Sequence, residues 1–278
     1  MDYMELECHI EPVDPGREIL IAHLADAGFE SFIETDRGVT AYIPEVHFSE
    51  EGLAAIKSLL KDFNLTWSHR VIPRQNWNAL WEKNYEPVVI AGKLAVRAPF
   101  HEPLAENELE IVIEPKMSFG TGHHPTTVLM AELMLQNRFT GLHVLDIGTG
   151  TGILAILAEK LGAGAVKALD NDPWACENAR ENAGKNNCKN LIVVHGDRKT
   201  LEKDTAGYDV ILANINKNTI LDLLPVMAER MRQGSGCILS GFYTGEKNEI
   251  TRYALGHHLK EGPSLSLDQW VACQFNLQ

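Results

Sequence analysis

Val144-Leu145-Asp146-Ile147-Gly148-Thr149-Gly150-Thr151-Gly152-Ile153-Leu154-Ala155 is the stretch on which the fold turns. An apolar strand runs into a Gly-x-Gly-x-Gly turn, and an apolar helix follows. Glycines let the backbone turn sharply and let a ligand approach the main chain closely. Unpaired N–H groups at the helix start favour a carboxylate or phosphate. Two ligand classes compete for such a turn. Gly150 to Ala155 can be forced onto the dinucleotide pattern Gly-x-Gly-x-x-Gly/Ala, as in an NAD-dependent oxidoreductase. That register leaves Asp146 and Gly148 without a role. The other reading uses Asp146 through Gly152 whole. A carboxylate at the strand end repels a pyrophosphate but attracts the sulfonium and ammonium of S-adenosylmethionine. We therefore read Asp146, Gly148, Gly150 and Gly152 as donor-binding residues.

Working outward, the flanking pattern alternates helix and strand. Helices are expected over 125–138, 153–162, 173–186, 217–232 and 245–258. Strands are expected over 142–147, 165–170, 191–195, 208–213 and 236–241, with a last pair near 263–277. This order implies α/β architecture: a doubly wound, mostly parallel sheet with helices on both faces. Ligands sit beyond the carboxyl ends of such strands. Asp170 ends the second of them, in Leu169-Asp170-Asn171-Asp172-Pro173. A carboxylate there accepts hydrogen bonds from ribose hydroxyls, whichever cofactor carries them. Asp172 suits the cap of the helix that begins at Pro173. Asp197 ends the third strand, where it either faces an adenine amino group or only shapes a turn. Asn214 follows the apolar run Val210-Ile211-Leu212-Ala213. An amide there can accept a hydrogen bond from a substrate amine and aim its lone pair.

Upstream, residues 1–73 read as β-α-β-β-α-β, a small α+β ferredoxin-like arrangement. Gly28 suits a helix C-cap, Asp36-Arg37-Gly38 a hairpin, and Ser49 an N-cap for a helix burying Leu53, Ile56, Leu59, Leu60 and Phe63. Residues 74–87 read as a helical linker. Trp77 and Trp81 share one face of it, either as packing against a neighbour or as an aromatic wall beside a cation. Strands over 88–98 and 108–114 lead into the domain 88–278.

The chain has 278 residues, enough for two domains. Its net charge of −13 disfavours direct nucleic-acid binding and suits a basic protein partner or a cationic small molecule, unless it serves solubility alone. Cys8, Cys176, Cys188, Cys237 and Cys273 form no Cys-x-x-Cys pair, so neither a disulfide framework nor a zinc site is expected, and a reducing cytoplasm fits. No secretory leader or bilayer-spanning run is visible. His123-His124 is a poor metal pair, since adjacent histidines do not share a helix face.

Glu114-Pro115-Lys116-Met117-Ser118-Phe119-Gly120-Thr121-Gly122-His123-His124-Pro125-Thr126-Thr127 adds a second signature. Pro125 suits the first helical position, which puts Thr126 and Thr127 beside free N–H groups able to hold a carboxylate. Together with Asp146–Gly152, Asp170, Asp197 and the Asn214-Ile215 pair, this segment resembles the class I methyltransferases that modify large-subunit ribosomal protein eleven. The resemblance implies transfer from S-adenosyl-L-methionine to lysine side-chain amines and the N-terminal amine of that protein, with S-adenosylhomocysteine as product. It further implies that residues 1–73 bind the substrate and that Thr127, Gly148, Asp170 and Asn214 contact the donor. Lys217 departs from the family pattern, where a small or apolar residue is expected.

Overall fold

A computed structural model describes residues 2–72, 85–104, 108–116 and 118–278. The chain divides into two compact units, residues 1–84 and 85–278.

The first unit runs β1 (Tyr3–Glu11), α1 (Val13–Asp26), β2 (Ser31–Thr35), β3 (Gly38–Pro44), α2 (Glu50–Leu59) and β4 (Asn64–Ile72). Its antiparallel sheet has the order β2-β3-β1-β4. Alternation decides which face is buried: Leu6, Cys8 and Ile10 of β1 pack with Val39, Ala41 and Ile43 of β3 against Leu20, Leu24, Leu53 and Ile56 of the helices. On the opposite face Glu5 accepts from Tyr42 Oη at 3.0 Å and from Arg70 Nε at 2.6 Å. Ser49 Oγ accepts the Gly52 N–H at 3.2 Å and starts α2 as expected. Leu59 departs from its expected core position. It is exposed at the last helical residue, and Leu60 takes the buried place.

The second unit opens with β5 (Val88–Ile90), β6 (Leu94–Arg97) and β7 (Leu109–Val112), which form a small three-stranded sheet. The single strand expected over 88–98 is thus a hairpin. Ala91 and Gly92 turn it with φ of 49° and 65°, the left-handed pair that a tight hairpin needs. The linker reading of 74–87 and the Trp77–Trp81 face fall mostly on 73–84, outside the described residues; 85–87 adopt no regular structure.

The main sheet follows: α3 (Pro125–Leu135), β8 (His143–Ile147), α4 (Ile153–Lys160), β9 (Ala165–Asp170), α5 (Pro173–Lys185), β10 (Leu191–His195), α6 (Arg198–Lys203), β11 (Tyr208–Asn214), α7 (Lys217–Arg230), β12 (Met231–Tyr243), α8 (Lys247–Leu255), β13 (Leu259–Leu267) and β14 (Trp270–Leu277). The strand order is β10-β9-β8-β11-β12-β14-β13, parallel through β12 and antiparallel at β14 and β13. Strand order reverses between β8 and β11, which opens a crevice at their carboxyl ends. Successive side chains feed two cores. Val144, Val166, Leu212 and Ile238 face α3 and α4, while Leu145, Leu169, Ile211 and Leu239 face α6, α7 and α8. Each such buried aliphatic side chain contributes roughly 1.5–3 kcal/mol. Helix α6 was not among the expected elements; it is a single short turn-and-a-half of mostly polar residues.

Candidate functional site

The crevice holds a cavity of about 590 Å³, lined from the ends of β8, β9, β10 and β11 by residues that include Gly148, Gly150, Asp170, Asp197 and Asn214. Its glycine turn is sterically obligatory. Gly150 has φ of 55°, and a Cβ there would stand 2.3 Å from the Phe119 carbonyl oxygen. A Cβ on Gly148 would stand 2.3 Å from Ile215 Cγ2. The loop bearing Phe119 lies directly on this turn: Thr151 N–H donates to Phe119 O at 3.0 Å, and Thr151 Oγ1 donates to Gly120 O at 2.5 Å.

Asp170 sits at the end of β9 with both carboxylate oxygens fixed. Gly150 N–H donates to Oδ2 at 2.9 Å and Asp172 N–H to Oδ1 at 3.0 Å. Each oxygen keeps a lone pair for a second donor. Asp172 also caps α5, accepting the Trp174 N–H at 2.9 Å.

Asn214 lies across the crevice from Asp170. Its Nδ2 donates to Thr127 Oγ1 at 3.4 Å, and its Oδ1 is buried without a hydrogen-bond partner. An orphaned buried acceptor costs about 1–3 kcal/mol, so an incoming N–H is strongly favoured there.

Three expected site residues stand back from the lining. Asp146 is 1% exposed and lies behind the turn, where its Oδ2 accepts Thr149 Oγ1–H at 2.6 Å. Its pKa stands at about 7: burial raises it, the Thr149 hydroxyl partly offsets that, the Asp170 charge adds to the rise and the nearby Ala155 amide opposes it. Its Oδ1 nevertheless lacks a partner in hydrogen-bond geometry. Asp146 therefore supports the turn rather than facing the crevice. Thr127 is fully buried beneath Asn214, and Gly152 starts α4 with φ of 85° in close contact with Ala179 of α5. Asp197 does line the cavity, yet it is also the N-cap of α6. Its Oδ1 accepts the Thr200 N–H at 3.2 Å, which holds its carboxylate below the usual range. The turn-shaping reading of Asp197 is seen directly in this cap, and the residue also stands on the cavity wall.

Sequence reasoning missed a second support. Asn178 and Asn182 of α5 and its C-cap Asn186 repeat every four residues, all buried. Asn186 exchanges two bonds with the Val112 backbone, Oδ1 accepting its N–H at 2.9 Å and Nδ2 donating to its oxygen at 2.7 Å. Asn182 accepts the Glu114 N–H at 2.8 Å and donates to Thr151 O at 2.9 Å. These side chains act as a strand edge that ties Val112 and Glu114 to the glycine turn through Thr151. The four-residue spacing was the available signal.

A row of rings begins at the cavity. Phe119, 53% exposed, meets His124 at 5.0 Å between centroids; His124 meets Trp270 at 4.9 Å, and Trp270 meets Tyr243 at 4.3 Å. His124 also caps α3 through its Nδ1, which accepts the Thr126 N–H, and burial lowers its pKa. Lys217 is held by Glu246 and Glu249, each at 3.0 Å, so the departure from the family pattern is neutralised locally.

A seven-stranded sheet of this order, with a glycine turn after its central strand and an acid ending the next, defines a class I methyltransferase. The chain belongs to the ribosomal protein L11 methyltransferase (PrmA) family, whose model matches residues 21–278. Among its relatives, the ribosomal protein L11 methyltransferase of Porphyromonas gingivalis is 43% identical over 93% of this chain and 90% of its own length. That of Phocaeicola vulgatus is 37% identical over 99% of both. The crystal structure of a ribosomal protein L11 methylase from Lactobacillus delbrueckii subsp. bulgaricus superposes with a TM-score of 0.64 at 26% identity, covering 70% of this chain and all of that one.

Proposed function

We propose that the chain transfers methyl groups from S-adenosylmethionine to amines of ribosomal protein L11, lysine side chains and the N-terminal amine among them. The observation that carries the donor assignment is Asp170. Its two tethered oxygens, at the end of β9 and on the cavity wall, match the paired hydroxyls of a ribose. The glycine turn then takes the amino-acid end of the donor, and Thr127, Asp146 and Gly152 support that arrangement from behind. Asp197 is left to accept from the adenine amino group.

The donor supplies an activated methyl carbon, and this chain's residues supply the nucleophile's position. Asn214 Oδ1 accepts an N–H of the substrate amine, which turns the nitrogen lone pair toward the sulfonium. The amine must be neutral. A lysine of pKa about 10.4 needs roughly 4–5 kcal/mol for that at pH 7. Desolvation beside Phe119 and repulsion from a sulfonium both lower its pKa. The nitrogen lone pair attacks the methyl carbon, the C–S electrons pass to sulfur, and water takes the proton from the methylated ammonium. No metal is needed, because the leaving group is already a good one. Residues 1–73 are proposed to hold the protein substrate, and the cytoplasm is the proposed compartment; among the described residues no helix is long and apolar enough to cross a membrane.

The test is incubation of the full chain with isotopically labelled donor and purified ribosomal protein L11, followed by mass mapping. Label on lysine and N-terminal amines is expected. Label that appears on another protein or a small amine, and not on L11, would redirect the substrate assignment while keeping the donor.

A further inference from the structure

Helices α6 and α7 flank the cavity on the same face of the sheet, but they are launched from strands that do not touch. β10 precedes α6 and β11 precedes α7, with β9 and β8 between them in the sheet. Two arginines stitch the helices together. At the far end, Arg230 of α7 donates from Nη2 to Glu202 O at 2.9 Å and from Nε to Leu201 O at 3.3 Å. At the cavity end, Arg198 of α6 donates from Nη1 to Asp222 O of α7 at 2.7 Å and meets Asp222 Oδ1 in an ion pair. Its Nε donates to Glu202 at 2.8 Å. Arg198 and Asp222 both line the cavity, Arg230 does not.

The clasp has a position in the ligand. With the ribose on Asp170 and the amino-acid end at the glycine turn, the remaining space runs toward α6 and α7. That space is walled by Leu201 of α6 and Leu223 of α7, apolar surfaces suited to the face of a flat ring. We propose that the Arg198–Asp222 pair closes this base end of the cavity and sets the affinity for the adenine ring; the proposal rests on the donor assignment above. Arg198 is a positioning residue. Its cap neighbour Asp197 fixes where the side chain leaves the helix, and the bond to Asp222 holds α6 and α7 at the width of the slot. Solvent screens a partly exposed pair of this kind, so the expected effect is modest, about fivefold in binding.

Calorimetry on the full chain distinguishes this role from general stabilisation. The probes are S-adenosylhomocysteine and S-ribosylhomocysteine, which lacks the base. Arg198→Ala should weaken the first about fivefold and leave the second unchanged, and it should raise the donor KM with little change in kcat. The charge swap Arg198→Asp with Asp222→Arg should restore most of the loss. Arg230→Ala, which loosens the same two helices away from the cavity, should lower the melting temperature without changing either affinity. The clasp is refuted if Arg198→Ala binds S-adenosylhomocysteine like the wild type, or if it weakens both probes equally. A wild-type chain that binds neither probe overturns the donor assignment, and the clasp with it.

Discussion

At the glycine-turn end of the cavity the wall is backbone, and what fixes it is buried: the Thr151 bonds to the Phe119 loop, the Thr149–Asp146 pair and the asparagines of α5. At the α6–α7 end the wall is side chain, fixed by an arginine and carboxylates that solvent reaches. Removing a group from the first end orphans a partner that water cannot satisfy. Removing one from the second exposes partners that water can satisfy. The same number of hydrogen bonds therefore carries several times more free energy at one end than at the other.

The largest expected break is Gly150→Ala. A left-handed φ and a backbone oxygen 2.3 Å from the new Cβ leave no room without moving the Phe119 loop. Loss of more than about 4 kcal/mol is expected in urea unfolding. Unchanged stability would mean that the loop yields easily and that the buried end is not stiff.

Next comes Asp146, through pH. Its carboxyl, ordinarily near 3.8, is held up at about 7 in the folded chain. Between those values the folded state keeps a proton that the unfolded state has lost, so this group's contribution to stability falls as pH rises from about 4 to about 7. Relative to Asp146→Asn, the wild type should lose on the order of 3 kcal/mol across that interval. Parallel stability curves for the two proteins would refute the buried assignment.

Asn182→Ala removes partners from Glu114 N–H and Thr151 O together. A loss of about 2–3 kcal/mol is expected in the same unfolding measurement. Asp170→Ala should weaken S-adenosylhomocysteine about 10- to 100-fold by calorimetry. An unchanged affinity would remove the ribose from β9.

The contrast also explains what could be read in advance. The β-α-β-β-α-β order of the first unit and the alternation of the second follow from hydrophobic period, which acts locally. Asp170, Asp172 and Asn214 were legible because strand ends and caps are marked by abrupt changes in polarity. Asp146 was legible as a carboxylate at a strand end, but its direction was not: whether a side chain faces the crevice or lies behind the turn depends on how the glycines fold back. The asparagine ladder was hidden for a related reason. Polar residues at helical spacing normally mark a solvated face, and only the tertiary contact with Val112 and Glu114 makes this one buried. Helix α6 and the Ala91-Gly92 hairpin are too short to declare a period of their own.

The asparagine ladder joins positions 64 to 74 residues apart along the chain. Contacts of such long range form late, because the intervening chain must first be brought into a closed loop. The segment that lies on the glycine turn thus waits for α5, an element synthesised well after it. A nascent chain released before residue 178 would carry every glycine of the turn and still lack all three asparagines that tie the neighbouring segment to it.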